Sequence, residues 1–383
     1  MCINNDLLNY ENSLLIENDK RLLSYDEVKC FVDFSSQGSN PNLIEFGKHK
    51  HCYTSSLLLG NGFSIACNQN FDLSNLTQQM INSNPIISSI FQHLQKGNLD
   101  IEETMRIVND GKKVLECFYL QNENADFKNA INQLQIFSEN LKNHFIKTIQ
   151  DNHISFSSIE NISKISAFDF VEPYNYIFTL NYDLLLYWVT SHNWEIFADG
   201  FGRNSEGVLA FSHNFSDKKP FYFLHGALHL FHNRGDIIKL ETSTPFYSNI
   251  LDEINKQLKN NQYPICVTAG TADEKLEMIK NNYYLSRCFD ALCSLRDYNL
   301  VIFGTRLKEN DEHIRKAILK SEVKNIFIGV SNQSWIQARQ DLQDFMQNAQ
   351  SKGKNIFFYD YNSFNVWDNQ SNLSNHNNNA NEV

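Results

Sequence analysis

The chain has 383 residues, of which 42% are hydrophobic and 13% aromatic. This length allows one large domain or two packed domains, and the apolar content excludes a disordered protein. The formal net charge of −11 argues against nonspecific binding of nucleic acid through a basic surface.

The eight cysteines indicate a reducing compartment. They stand at positions 2, 30, 52, 67, 117, 266, 288 and 293, and no pair has the CxxC spacing of a zinc ribbon. The chain starts without the basic segment and apolar run of a signal peptide, and no run of about 18 apolar residues indicates a membrane span. We therefore expect a cytoplasmic protein that does not bind membranes.

Residues 1–50 are mixed and polar, and we expect them to form an N-terminal arm or a small helical cap. Ser55 to Leu59 is a short apolar run typical of a buried strand, and it ends at Gly60 and Gly62 before a predicted helix. Residues 72–170 contain little glycine, and their apolar residues recur at helical spacing. This stretch is predicted to be an all-α insertion that serves as a lid or an assembly surface.

The rest of the chain alternates between strand and helix signals. A buried strand is predicted at 176–180, and further strands at 194–198, 220–224, 236–240, 263–268, 299–303, 325–330 and 355–359. Helices are predicted at 183–191, 273–281, 285–295, 309–320 and 334–350. The alternation is typical of an α/β fold with a Rossmann-like, doubly wound and mostly parallel sheet. Residues 51–71 and 171–365 would form this domain, and the Asn-rich stretch 366–383 is predicted to be disordered.

The segment Gly60-Asn61-Gly62-Phe63-Ser64 lies between the first buried strand and its helix. Such a turn exposes backbone N–H groups at a helix N-terminus, where a phosphate can bind, and glycine allows the phosphate to approach closely. The segment lacks the third glycine of the usual dinucleotide motif and the lysine of a P-loop. Judged alone, it fits a tight turn without a ligand equally well.

Thr179, Asn181 and Asp183 stand at the end of the strand predicted at 176–180. Ligands of open α/β sheets bind outside the carboxyl ends of the strands, so these polar side chains are well placed for function. Asn181 can both donate and accept hydrogen bonds. The alternatives are structural: Asp183 would cap the following helix, and Asn181 would bond its own backbone in a turn.

An apolar strand ends in His225 and Gly226. Histidine titrates near neutral pH, so His225 at a strand end is a candidate general base, although a lone histidine is more often structural. His229 and His232 follow at spacings of four and seven. On an extended chain His232 would lie on the other face, and no cysteine or carboxylate nearby completes a ligand set, so no metal is expected.

Two later strands also end in small residues. Gly304 and Thr305 follow the strand at 299–303, and they would either hold a phosphate or ribose or form an ordinary βα turn. The segment 267–271 has a similar pattern, and a plain turn is the better interpretation there.

The order of these segments resembles the sirtuin family. More closely, GNGFS at 60–64, TLNYD at 179–183, LHGALHL at 224–230 and FGTRLKENDEHI at 303–314 resemble bacterial sirtuin-like proteins of antiphage defence. The resemblance covers roughly residues 55–70 and 174–330 and leaves the helical stretch and both ends outside.

The resemblance implies a role for each matching residue. His225 would be the catalytic base, and Asn181 would lie against the nicotinamide ribose of NAD⁺ with Asp183 supporting it. The implied substrate-binding residues are Gly60, Asn61, Gly62 and Ser64 at the pyrophosphate, Thr179 and Gly226 next to the catalytic residues, and Gly304 and Thr305 on the adenosine side.

Three departures from the protein deacylases of that family bear on the reaction. Asn61 replaces the usual alanine between the two glycines, which the turn tolerates. The Pro-Asp-Phe-Arg segment that follows the first motif is missing, with Phe71-Asp72 at best a partial substitute, and so is the four-cysteine zinc module. In deacylases that module and its neighbouring loop help to form the acyl-peptide groove, so the resemblance implies water as the acceptor.

We therefore expect an NAD⁺ glycohydrolase that acts in antiphage defence by depleting NAD⁺, as in abortive infection. NAD⁺ would be its substrate, the chain would form a homo-oligomer, and a partner protein of the defence system or a phage-derived trigger would activate it. The alternatives are a sensor that binds NAD⁺ or ADP-ribose without turnover, an ADP-ribosyl transferase, and a deacylase.

Overall fold

The computed structural model describes residues 21–36, 54–94, 101–159, 161–240, 248–268 and 270–367, together with the short pieces 11, 13–14, 17–18, 44–46 and 49–51. The strands are β1 (Ile44–Phe46), β2 (His49–His51), β3 (Ser55–Leu59), β4 (Tyr176–Thr179), β5 (Phe197–Ala198), β6 (Phe201–Arg203), β7 (Leu209–Phe211), β8 (Lys219–Phe223), β9 (Leu230–Asn233), β10 (Asp236–Lys239), β11 (Asn299–Phe303), β12 (Asn325–Val330) and β13 (Asn355–Asp360). The helices are α1 (Tyr25–Ser36), α2 (Asn61–Cys67), α3 (Leu73–Ser83), α4 (Pro85–Leu94), α5 (Ile101–Asn122), α6 (Ala125–Asp151), α7 (Asn161–Val171), α8 (Leu185–Ser191), α9 (Ser248–Lys259), α10 (Ala272–Lys280), α11 (Tyr283–Cys293), α12 (Glu312–Lys320), α13 (Trp335–Asp341) and α14 (Gln343–Ser351). Among the described residues, no helix combines the length and the apolar character needed to cross a membrane.

Within the described residues, seven parallel strands form the central sheet in the order β13-β12-β11-β3-β4-β8-β5. The strands β3, β11 and β12 are buried along their whole length, as expected for parallel strands covered by helices. From β3 the chain continues to β4 on one side, and it later returns to β11 on the other. Such a reversal of strand order opens a crevice at the carboxyl ends of the strands, where α/β proteins bind ligands. The prediction of an α/β fold with a mostly parallel sheet is confirmed.

A second, smaller sheet joins β6, β7, β10 and β9 in antiparallel pairs. The sequence pattern did not predict β6, β7 or β9, because runs of three or four residues are too short to show a period. The rings of Phe201 and Phe211 pack against Tyr284 of α11, at centroid distances of 5.4 and 4.9 Å. This sheet is thereby attached to the helical layer of the main sheet.

The described residues between β3 and β4 are mainly helical, in agreement with the helical spacing of 72–170. Its longest helices, α5 and α6, have 22 and 27 residues and form an antiparallel hairpin. Met105 and Phe145 at the open end of the hairpin are buried, whereas Leu120 near the turn is 79% exposed. The hairpin therefore joins the core through its open end.

The N-terminal segment packs on the sheet at the side of β12 and β13. The ring of Phe31 in α1 lies 5.0 Å from that of Phe327, and Leu23, which precedes α1, forms a parallel bridge with Tyr359. The segment 21–36, which the sequence placed in an arm or cap, thus contacts the strands directly. Most of residues 1–20 and 37–53 lie outside the described residues.

At the other end, Val366 and Trp367 are almost fully buried. The indole N–H of Trp367 donates a hydrogen bond to the backbone oxygen of Phe63 at 2.8 Å. The prediction of disorder from residue 366 onward is therefore wrong for these two residues, and 368–383 lie outside the described residues.

Two further predicted elements differ from the structure. The segment 263–268 is not a strand, and Cys266 forms one isolated bridge with Gly226. The N–H of Ile265 donates to the oxygen of Leu230 at the start of β9, and the N–H of Val267 donates to the oxygen of His225 in the loop after β8. The helix predicted over 334–350 is divided into α13 and α14, which meet at Leu342.

Trp367→Ala should lower the free energy of unfolding by about 3–5 kcal/mol, the usual cost of truncating a large buried aromatic side chain. The variant loses the ring contact with Phe63 at 5.1 Å and leaves the Phe63 oxygen without its donor. Ile336→Ala is the control, because Ile336 is 62% exposed and its loss should change stability by no more than about 0.5 kcal/mol. Urea unfolding followed by circular dichroism measures both, and equal effects would contradict the buried position of Trp367.

Candidate functional site

A cleft of about 520 Å³ opens beside residues that directly follow β3, β4, β8 and β11. Its volume lies within the range of roughly 300–1,000 Å³ typical of small-molecule sites. The predicted site residues that line it are Gly60, Asn61, Asn181, Asp183, His225, Gly304 and Thr305. Four segments far apart in the sequence therefore meet at one edge of the sheet, as predicted from their positions at strand ends.

The side chain of Asn181 connects the end of β4 to the glycine turn after β3. Its Nδ2 donates to the backbone oxygen of Gly60 at 3.0 Å and to Oγ of Ser64 at 2.9 Å. The backbone N–H of Asn181 donates to Oγ1 of Thr179 at 3.1 Å. The local turn therefore uses the main chain of Asn181, and its side chain bonds to the segment that follows β3. Because both Nδ2 hydrogens are used, the amide oxygen is the group that remains for a ligand or a water.

Asp183 has a structural role. Its Oδ1 accepts a hydrogen bond from the N–H of Leu185 at the start of α8, at 2.9 Å, and its Oδ2 accepts from the hydroxyl of Ser64 at 2.5 Å. The residue is 5% exposed, and both carboxylate oxygens are engaged. Support of α8 and of Ser64 therefore describes Asp183 better than direct participation in chemistry.

The glycine turn does not offer its glycine amides to a phosphate. The N–H of Gly60 donates to the oxygen of Phe303, and that of Gly62 to the oxygen of Gly304, both at 2.8 Å. A Cβ on Gly60 would lie 2.4 Å from Cβ of Thr305, and one on Gly62 would lie 2.5 Å from Cα of Gly304. Glycine is required here because two backbone turns touch, and the expectation that these two N–H groups bind a phosphate is wrong.

Four predicted binding residues lie behind the cleft wall instead of lining it: Gly62, Ser64, Thr179 and Gly226. Gly226 has a φ of +81°, and a Cβ there would lie 1.9 Å from the oxygen of Ile265. The segment 267–271 also supports the cleft indirectly, since the oxygen of Val267 accepts from the Tyr182 hydroxyl at 2.7 Å. Thr271 forms a capping box at the start of α10.

His225 lines the cleft just beyond β8, and its Nε2 shares a hydrogen bond with Nε2 of His313 at 2.9 Å. Both residues are almost fully buried. Burial lowers the pKa of His225 well below its usual value, and the neighbouring His313 and Lys275 lower it further. Burial, followed by the charges of Lys275 and Lys316, lowers the pKa of His313 to about 3. Both rings are therefore neutral at pH 7, and His225 is not the imidazolium cation that would act as a general acid.

Charged side chains surround the histidine pair. Lys275 of α10 is 2% exposed, and its Nζ lies 3.7 Å from Oδ1 of Asp311 and 3.9 Å from Oε2 of Glu102. Burial raises the pKa of Asp311, and the ammonium of Lys275 opposes this. Arg306 and Lys308 line the cleft from exposed positions. These cations, instead of the turn amides, are the groups in the cleft that attract an anionic ligand.

A family model matches residues 57–367, from within β3 to Trp367. The chain belongs to the family described as a domain of unknown function, DUF4917. The match includes all the cleft residues described above. No curated protein matches the chain.

Three residues of this DUF4917 domain enter the site although the sequence pattern did not single them out. Asp311 stands at the N-cap of α12, His313 is the second residue of that helix, and Lys275 belongs to a helix with many charged residues. From the sequence alone, each of the three would be interpreted as a polar residue on the solvent-facing side or at the end of a helix. The signal in the sequence was weak: a polar stretch at 308–313 follows a small-residue turn at a strand end.

Gly62→Ala should destabilise the DUF4917 domain by about 1–3 kcal/mol, because the added methyl group forces apart the two turns that touch at Gly304. Gly111→Ala is the matched control, since a Cβ at this position in α5 has no atom within 4 Å. The control should stabilise the protein by about 0.5–1 kcal/mol, the usual gain for alanine over glycine in a helix. Chemical denaturation measures both, and a Gly62→Ala protein as stable as the control would contradict the contact.

Proposed function

We propose that this chain is an NAD⁺ glycohydrolase, which cleaves the nicotinamide–ribose bond to give nicotinamide and ADP-ribose. The main support is that Asn181, His225 and the turn at Gly60 line one cleft at the strand ends. These are the segments in which the sequence resembles the sirtuins, and a sirtuin-like, Rossmann-like arrangement of the sheet is part of the proposal. The cations of the cleft fit the negative charge of a pyrophosphate.

The proposed reaction requires little from the protein beyond orientation and one base. The transition state of glycosidic cleavage resembles an oxocarbenium ion, and nicotinamide leaves from a cationic ring without a strong general acid. The amide oxygen of Asn181 would orient the attacking water or a ribose hydroxyl. His225 would accept a proton from one of them as the new C–O bond forms and the C–N bond breaks.

Water is the proposed acceptor, because the chain lacks the four-cysteine module and the segment that help to bind acyl-peptides in deacylases. Side chains of the helices between β3 and β4 also close one side of the cleft, among them Leu76, Glu102, Phe145 and Ile149. We propose that these helices are an insertion that controls access. The biological setting would be antiphage defence, in which a partner protein or a phage component triggers NAD⁺ depletion by an oligomer of this cytoplasmic chain.

Asn181→Ala and His225→Ala should each abolish nicotinamide release from NAD⁺ while the protein remains folded. Loss of a general base lowers a rate by about 10²–10⁴-fold. His232→Ala is the matched control, because His232 is an exposed histidine of β9 and does not line the cleft. Chromatography of nicotinamide and ADP-ribose measures turnover, circular dichroism checks folding, and NAD⁺ levels in expressing cells supply any trigger that the purified protein lacks.

Normal turnover in either cleft variant would refute the assigned roles. Binding of NAD⁺ or ADP-ribose without nicotinamide release in both assays would instead indicate a sensor. Transfer of label from NAD⁺ to protein would indicate an ADP-ribosyl transferase.

A further inference from the structure

The buried histidine pair lies next to a carboxylate. One ring nitrogen of His225, one ring nitrogen of His313 and a carboxylate oxygen of Asp311 all lie within 4.8 Å of one another. Two imidazoles and one carboxylate from different parts of the chain form a ligand set used by divalent transition metals. The tertiary structure supplies the carboxylate that the sequence around His225 does not contain.

The other two histidines of the 225–232 segment do not contribute to this cluster. The ring of His229 packs against Tyr187 and Phe223, at centroid distances of 4.6 and 5.1 Å. His232 is exposed, and its Nε2 lies 3.3 Å from Nδ2 of Asn282. His229 and His232 are therefore not placed to bind a metal ion together with His225. His225, His313 and Asp311 lie close enough to one another to do so.

The spacing of the two imidazole nitrogens is close to that of a metal site. Nitrogens bound to a tetrahedral zinc ion at about 2.0–2.1 Å are roughly 3.3 Å apart, whereas the two Nε2 atoms here are 2.9 Å apart. A separation of the rings by about 0.4 Å would admit the ion. The hydrogen bond between the rings accounts for the shorter distance. When the ion binds between the two Nε2 atoms, that hydrogen would move to Nδ1 of its own ring.

The neighbouring Lys275 forms an ion pair with the Asp311 carboxylate. Nζ of Lys275 is 3.7 Å from Oδ1 of Asp311, which is beyond hydrogen-bond distance. Among the described residues, no side chain donates to the Asp311 carboxylate at 3.5 Å or less. The positive charge of Lys275 repels a metal ion at this site. Removal of this charge should therefore raise the affinity of the site for the metal.

We propose that His225, His313 and Asp311 bind one divalent transition-metal ion, with Zn²⁺ the best match to these ligands. Three protein ligands leave a coordination position for water, on the side of the cleft. A second consequence rests on the proposed function: an imidazole bound through Nε2 carries its hydrogen on Nδ1 and cannot accept a proton. Zn²⁺ therefore inhibits NAD⁺ cleavage by occupying the base.

Titration of the metal-free full chain with ZnCl₂ in a calorimeter should show one saturable site per chain. Co²⁺ should produce the visible absorption of a tetrahedral cobalt centre. His313→Ala and Asp311→Asn should each weaken Zn²⁺ binding by more than about 100-fold. Mutation of a residue that only hydrogen-bonds to a metal ligand already lowers metal affinity by about 10–100-fold, and loss of a ligand should cost more. Lys275→Met should strengthen binding by about tenfold or more, since it removes a nearby positive charge. His232→Ala should bind as the unaltered chain does.

Absence of saturable Zn²⁺ binding to the unaltered chain would overturn the site, as would unchanged affinity in both His313→Ala and Asp311→Asn. Asp311→Asn and Lys275→Met preserve side-chain volume and test the site even if His313→Ala does not fold. The titration contains no NAD⁺, so zinc binding with no NAD⁺ cleavage either by the purified chain or in expressing cells would refute the proposed function and leave the metal site standing. Inhibition of nicotinamide release by Zn²⁺ in the unaltered chain, at concentrations that match the calorimetric affinity, would support both.

Discussion

A buried hydrogen-bond network at the carboxyl ends of β3 and β4 holds the candidate site together. Ser64 donates to Asp183 and accepts from Asn181, and Asn181 also donates to the oxygen of Gly60. Each member is nearly inaccessible to water, so an unpaired group in this network would cost about 1–3 kcal/mol. The same bonds place the start of α8, the glycine turn and the free amide oxygen of Asn181. The hydrogen bonds that position the side chains of the cleft are therefore the same ones that stabilise this edge of the sheet.

Backbone contact between the turns after β3 and β11 determines which groups the cleft can present. The N–H of Gly62 is used by Gly304, and the N–H of Gly60 by Phe303. The amides of Gly60 and Gly62 are therefore not available to an anionic ligand, and the cleft supplies the cations Lys275 from α10 and Arg306 from the turn after β11. The groups available to recognise the ligand therefore come from several segments of the chain and not from the glycine motif alone.

Burial gives the histidine pair its chemical character. The cleft is partly covered by helices, and in such surroundings charges are poorly solvated, so both rings remain neutral and the hydrogen bond between them is strengthened. A neutral imidazole that lies beside a second imidazole and a carboxylate can serve either as a proton acceptor or as a metal ligand. The two proposed uses of His225 exclude each other, which gives the site a chemical basis for regulation.

The sequence by itself determined the sheet and the edge at which the site lies. Buried parallel strands appear as continuous apolar runs, so β3, β11 and β12 have the predicted bounds, and the polar residues after such strands must share one edge. Only the tertiary structure decided which polar groups remain free at that edge. Whether the Gly62 amide is available depends on the turn at Gly304, and the partner of His225 lies 88 residues away on α12. Such pairings depend on how helices and turns pack on the sheet, and local sequence patterns carry no information about those distances.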